Sequence, residues 1–282
     1  ILANIYLDKF DKFMEEYERL ASLNLYTSQN DARDFLKMFA MEKTETSSYY
    51  VVNIDEMNTN TSYLDEISQS NICVEFMTPT LALSSSEKDH PAIGICVLGN
   101  INMSEVSIDE LPAVTKFMVE TQTMLALRQN HPTTQANAFV RGYRDIGIGI
   151  SNQANWVAKL GYKYGEPGVL NTLDEWMEHF AYGLISASNE LVDTFGVAPL
   201  FHKTNWKTTM PLDRYNKNVD SICDRKPSLD WDELRDRVAK KGMANCGLSM
   251  IPPSESSSIG SNQTSSIEPI KELLTIKDRQ GM

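Results

Sequence analysis

Apolar positions recur at helical spacing near the start of the chain. Phe10, Phe13, Met14, Tyr17 and Leu20 share one face, which predicts an amphipathic helix over residues 4–22 and a second over 31–42. Residues 48–54 switch to β-branched and aromatic side chains and predict a strand. Further strands are predicted at 71–77 and 93–101, on either side of a polar segment that includes 84–90. A long helical pattern covers 109–129, a short buried strand 144–150, and a helix runs through Trp156 to Leu160. Another long helix spans 173–195, closed by Gly196 and Pro199. The polar stretch 202–230 precedes a helix at 232–241, and a strand at 246–251 enters a Ser-rich run, 254–266, read as a turn into a helix. Strands alternating with long helices predict an α/β fold with parallel strands. No repeat or linker interrupts the pattern, so residues 1–282 are expected to form one domain.

Composition narrows the function classes. An apolar fraction of 41% supports a real core, while no apolar run reaches the roughly 20 residues of a membrane helix. The chain opens on Ile1 with no signal-peptide pattern, so a soluble, cytoplasmic protein is expected, with a processed or truncated start. A formal charge of −12 argues against a general nucleic-acid surface and leaves room for a local site for a small anion. The four cysteines, at 73, 96, 223 and 246, show no CxxC and no paired metal spacing, which speaks against structural zinc and against a secreted disulfide framework.

The segment Ser70-Asn-Ile-Cys-Val-Glu-Phe76 carries the most chemistry. In an extended strand Asn71, Cys73 and Glu75 share one face, backed by Ile72, Val74 and Phe76 on the other. An amide orients a hydroxyl, a carboxylate takes its proton, and a thiol between them does redox or radical work. The same pattern fits a half-exposed strand with a core cysteine. Cys96, central in a second apolar run, is either a second thiol of the same cavity or another core cysteine. Cys223 and Cys246 read as structural, with Cys246 the better placed to line a site. Pro252-Pro-Ser-Glu-Ser-Ser-Ser258 after a strand fits a capped helix start or an anion site, although Glu255 opposes an anion if it points inward. Gly147 and Gly149 lack the third glycine of a dinucleotide fingerprint and read as close-packing positions. No histidine neighbours Cys73 in sequence, so a Cys–His hydrolase has no direct support.

Together these stretches resemble the large subunit of class I ribonucleotide reductases. The resemblance rests on residues 70–75, Gly94-Ile-Cys96, Arg144-Asp-Ile-Gly-Ile-Gly149, Ala187-Ser-Asn-Glu190, and Asn245 through Pro253-Ser-Glu-Ser-Ser257 to Ile267-Glu-Pro269. A weaker likeness reaches back to Tyr50–Asp55 and Asn58. It implies part of a ten-stranded α/β barrel with a central finger loop. In that frame Cys73 is the thiyl radical site, Glu75 accepts the 3′-hydroxyl proton, Asn71 orients the ribose, and Cys96 is one of two reducing thiols. Ser254, Glu255, Ser256 and Ser257 match the surroundings of the substrate diphosphate, with Ser256 where many relatives carry Thr. The resemblance further implies a radical supplied by a metal-containing small (beta) subunit, no cofactor on this chain, and thioredoxin or glutaredoxin as external reductant. No residue here matches the second reducing cysteine, the regulatory region, the radical-relay tyrosines or the C-terminal cysteines. A fragment or split-gene product is therefore expected, working with complementary large-subunit segments or only assembling with them.

Overall fold

The computed structural model describes residues 10–25, 30–47, 50–81, 91, 93–214, 221–272 and 274. The chain divides into two compact units, Ile1–Asn53 and Ile54–Met282.

In the first unit, α1 (Phe10–Ser22) and α2 (Ala32–Thr46) fall on the two predicted helical stretches, and residues 4–9 of the first prediction lie outside the described residues. Asp31 caps α2 by accepting from the amides of Arg33 and Asp34, and Ser47 closes it in the left-handed region at φ 54°. The strand expected at 48–54 does not form over its described part. Tyr50–Asn53 are irregular, with Tyr50 and Val51 64% and 62% exposed, and Ile54 opens a short helix, α3 (Ile54–Thr59). β-propensity reflects fit to a half-buried pleated surface, and no strand among the described residues pairs with this stretch.

The second unit is built on parallel strands, as expected. β1 (Leu98–Asn102) pairs with β2 (Gly147–Ser151) in parallel, with Leu98 opposite Gly147 and Asn102 opposite Ser151. On the other edge of β2 the predicted strand at 246–251 runs alongside as an extended segment. Ile146 N–H donates to Gly247 O, Ile148 N–H to Leu248 O, and Met250 N–H to Ile148 O. Between the two strands come α4 (Leu111–Arg128) and α5 (Thr134–Tyr143). A capping box just ahead of α4 has the Ser107 amide and hydroxyl both donating to Glu110 Oε2. The polar-to-apolar shift at Thr133 marks the start of α5, whose Ala136, Phe139, Val140 and Tyr143 are buried at helical spacing. After β2 follow α6 (Gln153–Lys159), α7 (Leu170–Glu190), α8 (Val192–Phe195), the single turn α9 (Pro211–Arg214), α10 (Trp231–Lys241) and α11 (Glu255–Ser261).

One face of the sheet carries Val97, Ile101, Ile146, Ile148 and Ile150, all buried in the core that also holds Val119 of α4 and Trp176, Phe180 and Leu184 of α7. Gly99 lets α4 approach β1: a Cβ there would lie 1.7 Å from Gln122 Nε2. Gly183 does the same for α7 against Thr115 of α4. Buried polar groups tie the layers. Asn245 Nδ2 donates to Thr123 Oγ1 at 2.9 Å and to Arg144 O at 2.8 Å, and its Oδ1 accepts from Ser188 Oγ at 2.9 Å. No described helix is long and apolar enough to cross a membrane.

Candidate active site

The opposite sheet face is where the chemistry gathers. In a parallel pair, residues opposite each other project to the same side. Extending the β1–β2 register back two residues sets Cys96 opposite Asp145, on the face that carries Gly147 and Gly149. On the third segment Met250 projects to that same face, because Ser249 bridges Ile148 on the other. A row therefore runs from Cys96 through Asp145 to Gly247 of the third segment, whose amide donates to Asp145 Oδ1. Gly147 and Gly149 are close-packing positions as read from the sequence. A Cβ at 147 would sit 1.5 Å from Met250 Cε, and one at 149 only 2.1 Å from Pro252 Cδ. Glycine at 147 leaves Met250 space to cross β2, so that its sulfur reaches 3.8 Å from Cys96 Sγ.

The stretch around Cys73 is a turn, not the expected strand. Val74 N–H donates to Asn71 O at 3.1 Å, and Asn71 Oδ1 accepts from the amides of Glu75 at 3.2 Å and Phe76 at 3.1 Å. An asparagine that takes two nearby amides outcompetes ladder pairing for the local backbone. The turn holds Val74 at φ 59°, an unfavourable region for a β-branched residue. The expected alternation of faces is lost: Ile72 is 86% exposed and Cys73 exposed, while Phe76 is buried. The Asn71 amide oxygen thus holds its own loop. The base of the loop is fastened by Asn58, whose Nδ2 donates to Ile67 O and whose Oδ1 accepts from Ile67 N–H.

Glu75 faces a cavity of about 580 Å³, lined also by Tyr63, Trp206, Arg214, Gly247 and Ser249. Its Oε2 is buried with no hydrogen-bond partner among the described residues. The Arg214 guanidinium lies 5.3 Å from the centre of the Trp206 ring, which it covers. The Cys96 thiol is pushed up to about 12, chiefly by burial and further by the negative charges of Glu75, Asp145 and Cys73. Each of these groups thus lies within electrostatic reach of Cys96.

Asp145 is the group that sequence reading passed over. It is 1% exposed, accepts from Tyr63 OH at 2.7 Å through Oδ2, and accepts from Gly247 N–H at 2.7 Å through Oδ1. Burial pushes its carboxyl up to about 7, against the lowering effect of those two donors. The only sequence signal was an acidic residue set directly before a wholly apolar strand. Its partner Tyr63 lies 82 positions away. Tyr63 packs edge-on against Tyr143, whose hydroxyl donates to Asp65, itself paired with Lys203 at 2.8 Å. The fourth thiol, Cys223, accompanies Asn171 at 3.3 Å, away from this row.

The Ser-rich run forms the expected turn into a helix. Ser254 is buried, its hydroxyl 3.0 Å from Ser258 Oγ and accepting from Ser266 N–H at 2.6 Å, whereas Glu255, Ser256 and Ser257 are exposed. The turn is clamped to β2 by Asn152, in the left-handed region at φ 68°. Asn152 Oδ1 accepts from the Thr264 amide at 3.0 Å, and its Nδ2 donates to Asn102 Oδ1 at 2.9 Å. Among the described residues no group of three or more His, Cys, Asp or Glu side chains is placed to hold a metal ion.

Comparison with known proteins shows the family. The family profile described as "Ribonucleotide reductase, barrel domain" matches residues 1–281. The "Ribonucleoside-diphosphate reductase subunit alpha" of Buchnera aphidicola subsp. Acyrthosiphon pisum is 32% identical over 274 residues, covering 95% of this chain and 36% of the relative. The "Ribonucleoside-diphosphate reductase subunit alpha" of Enterobacteria phage T4 is 31% identical over 281 residues, and the "Ribonucleoside-diphosphate reductase 1 subunit alpha" of Escherichia coli K12 30% over 275 residues, each again matched over 36% of its length. The chain thus spans about a third of the length of these curated relatives, and it belongs to the ribonucleotide reductase barrel-domain family.

Proposed function

We propose that this chain is the catalytic segment of a ribonucleoside-diphosphate reductase, forming part of a ten-stranded barrel whose finger loop carries Cys73. The observation that carries the reading is the buried, unpartnered Glu75 oxygen on the cavity, in a chain matched by the family along nearly its whole length. A sulfur radical on Cys73 takes the 3′ hydrogen atom of the ribose. Glu75, with an unpartnered buried oxygen, accepts the 3′-hydroxyl proton. Asn71 shapes the turn and orients the ribose. The 2′ hydroxyl leaves as water, and Cys96 with a second thiol supplies two electrons and ends in a disulfide. Return of the hydrogen atom from Cys73 restores the radical. Ser254, Glu255, Ser256 and Ser257 surround the substrate diphosphate.

The second thiol comes from outside this chain. Cys246 stands two strands from Cys96, about 9–10 Å between Cα positions, beyond the roughly 7 Å a disulfide tolerates. Turnover therefore requires complementary large-subunit segments, a metal-containing beta subunit as radical source and a thioredoxin- or glutaredoxin-type reductant, all in the cytoplasm. The test combines the purified chain with these components and a nucleoside diphosphate. Deoxynucleotide forms in the complete mixture and is lost in Cys73→Ser. Product from the chain without the complementary segments refutes the dependence on them. A complete mixture that assembles yet never turns over favours a purely complementing subunit.

A further inference from the structure

We infer that Asp145 is a positioning residue for the Cys96 thiol: a buried carboxyl, held by Tyr63 and Gly247, whose negative charge keeps its strand neighbour protonated. The inference deepens the reading above, in which Cys96 acts as a hydrogen-bearing reductant.

Three features of the structure carry it. Strand register sets Asp145 directly beside Cys96, at a spacing of about 5 Å between neighbouring strands. Two hydrogen bonds of 2.7 Å fix the carboxyl there, one oxygen on the Tyr63 hydroxyl and the other on the Gly247 amide. Glycine at 247 makes the room in which the hydroxyl and carboxyl meet, since a Cβ there would lie 2.5 Å from Tyr63 Oη and 3.0 Å from Asp145 Oδ1. A carboxylate so placed opposes formation of a thiolate next to it. The other charged or titratable groups acting on Cys96 are Glu75 and Cys73 of the turn. Those around Asp145 are Tyr63, Tyr143 at the end of α5, and Cys246, which Arg144 also influences.

The coupling has a signature that simple burial lacks. As Asp145 ionises, near pH 7, its charge suppresses the Cys96 thiolate. The logarithm of the Cys96 reaction rate then climbs with unit slope, flattens around neutrality and climbs again. At such a distance one charge changes the thiolate fraction by on the order of tenfold or more.

The experiment measures N-ethylmaleimide addition to Cys96 across pH 5.5 to 9 on the full chain, read from the Cys96-containing peptide by mass spectrometry. Wild type is expected to show the flattening. Asp145→Asn is expected to give a single line of unit slope, about tenfold or more faster at pH 8. Tyr63→Phe removes a donor that favours the ionised carboxylate, so it moves the flattening to higher pH. Glu75 and Cys73 remain in every variant, so the differences belong to Asp145. A wild-type profile without the flattening overturns the proposal, as does an Asp145→Asn profile merely displaced in height. If Asp145→Asn does not fold, an unmoved flattening in Tyr63→Phe overturns it. Alkylation needs neither substrate nor radical, so this test stands even if turnover of the assembled enzyme fails.

Discussion

Glu178 of α7 is a carboxylate sealed under the 225–231 segment, and its removal is the most informative test of how the second unit holds together. It is 7% exposed. Oε1 accepts from Trp231 Nε1 at 2.9 Å, Leu229 N–H at 3.0 Å and Ser228 N–H at 2.9 Å, while Oε2 accepts from Arg225 Nη2 at 2.5 Å. Glu178→Ala strands three N–H donors and one guanidinium contact at once. Leaving a buried donor unpaired costs about 1–3 kcal/mol, and breaking a buried ion pair about 3–5 kcal/mol. Arg225 keeps Asp174 at 2.7 Å, which softens its loss, so the expected destabilisation is about 3–4 kcal/mol. Glu178→Gln retains an acceptor for Trp231, Leu229 and Ser228 and loses the charge-assisted contact, an effect of about 1.5–3 kcal/mol. Urea unfolding followed by tryptophan fluorescence measures both, and Trp231 reports from the site itself. Burial pushes the Glu178 carboxyl up, but the Leu229 amide, Arg225, Trp231 and the Ser228 amide outweigh it and hold it below the usual carboxylate range. Its contribution is therefore complete above the unfolded value, about 4.3, and is lost as pH falls through the folded value. The gap between wild type and Glu178→Ala should narrow in acid. A loss below about 1 kcal/mol at pH 7, or a gap that widens in acid, refutes the assignment of Glu178 as the fastening group.

Two substitutions test the supports of the candidate site. Gly149→Ala places a Cβ 2.6 Å from Met250 O, a backbone atom that cannot swing aside, and 2.1 Å from Pro252 Cδ. The expected cost is about 1–3 kcal/mol with faster proteolysis of residues 250–257, and unchanged stability with unchanged proteolysis counts against the close packing. Asn245→Ala removes the donor to Thr123 Oγ1 and the Arg144 carbonyl and the acceptor of the Ser188 hydroxyl, and a loss of about 2–3 kcal/mol in thermal unfolding is expected. A shift under about 0.5 kcal/mol shows that water replaces the amide.

Sequence by itself determined the elements whose signal is local. The helical periods survive as α1, α2, α4, α7 and α10, and the apolar run with two glycines survives as β2, buried along its whole length. Asn71, Cys73, Glu75 and Cys96 were legible as candidates through motifs read in register. The conformation that presents them was not. β-branched residues at 71–77 argued for a strand, and the Asn71 side chain, by accepting two amides, turned the chain instead. Tyr50–Asn53 failed as a strand because pairing needs a neighbour, and a neighbour is not a local property. Tertiary structure alone decided that Asp145 stands beside Cys96, that Tyr63 closes over it from 82 residues away, and that Met250 crosses Gly147 to reach the thiol. Each contact depends on which strands become adjacent and in what register, and a one-residue slip would send every one of these side chains to the opposite face.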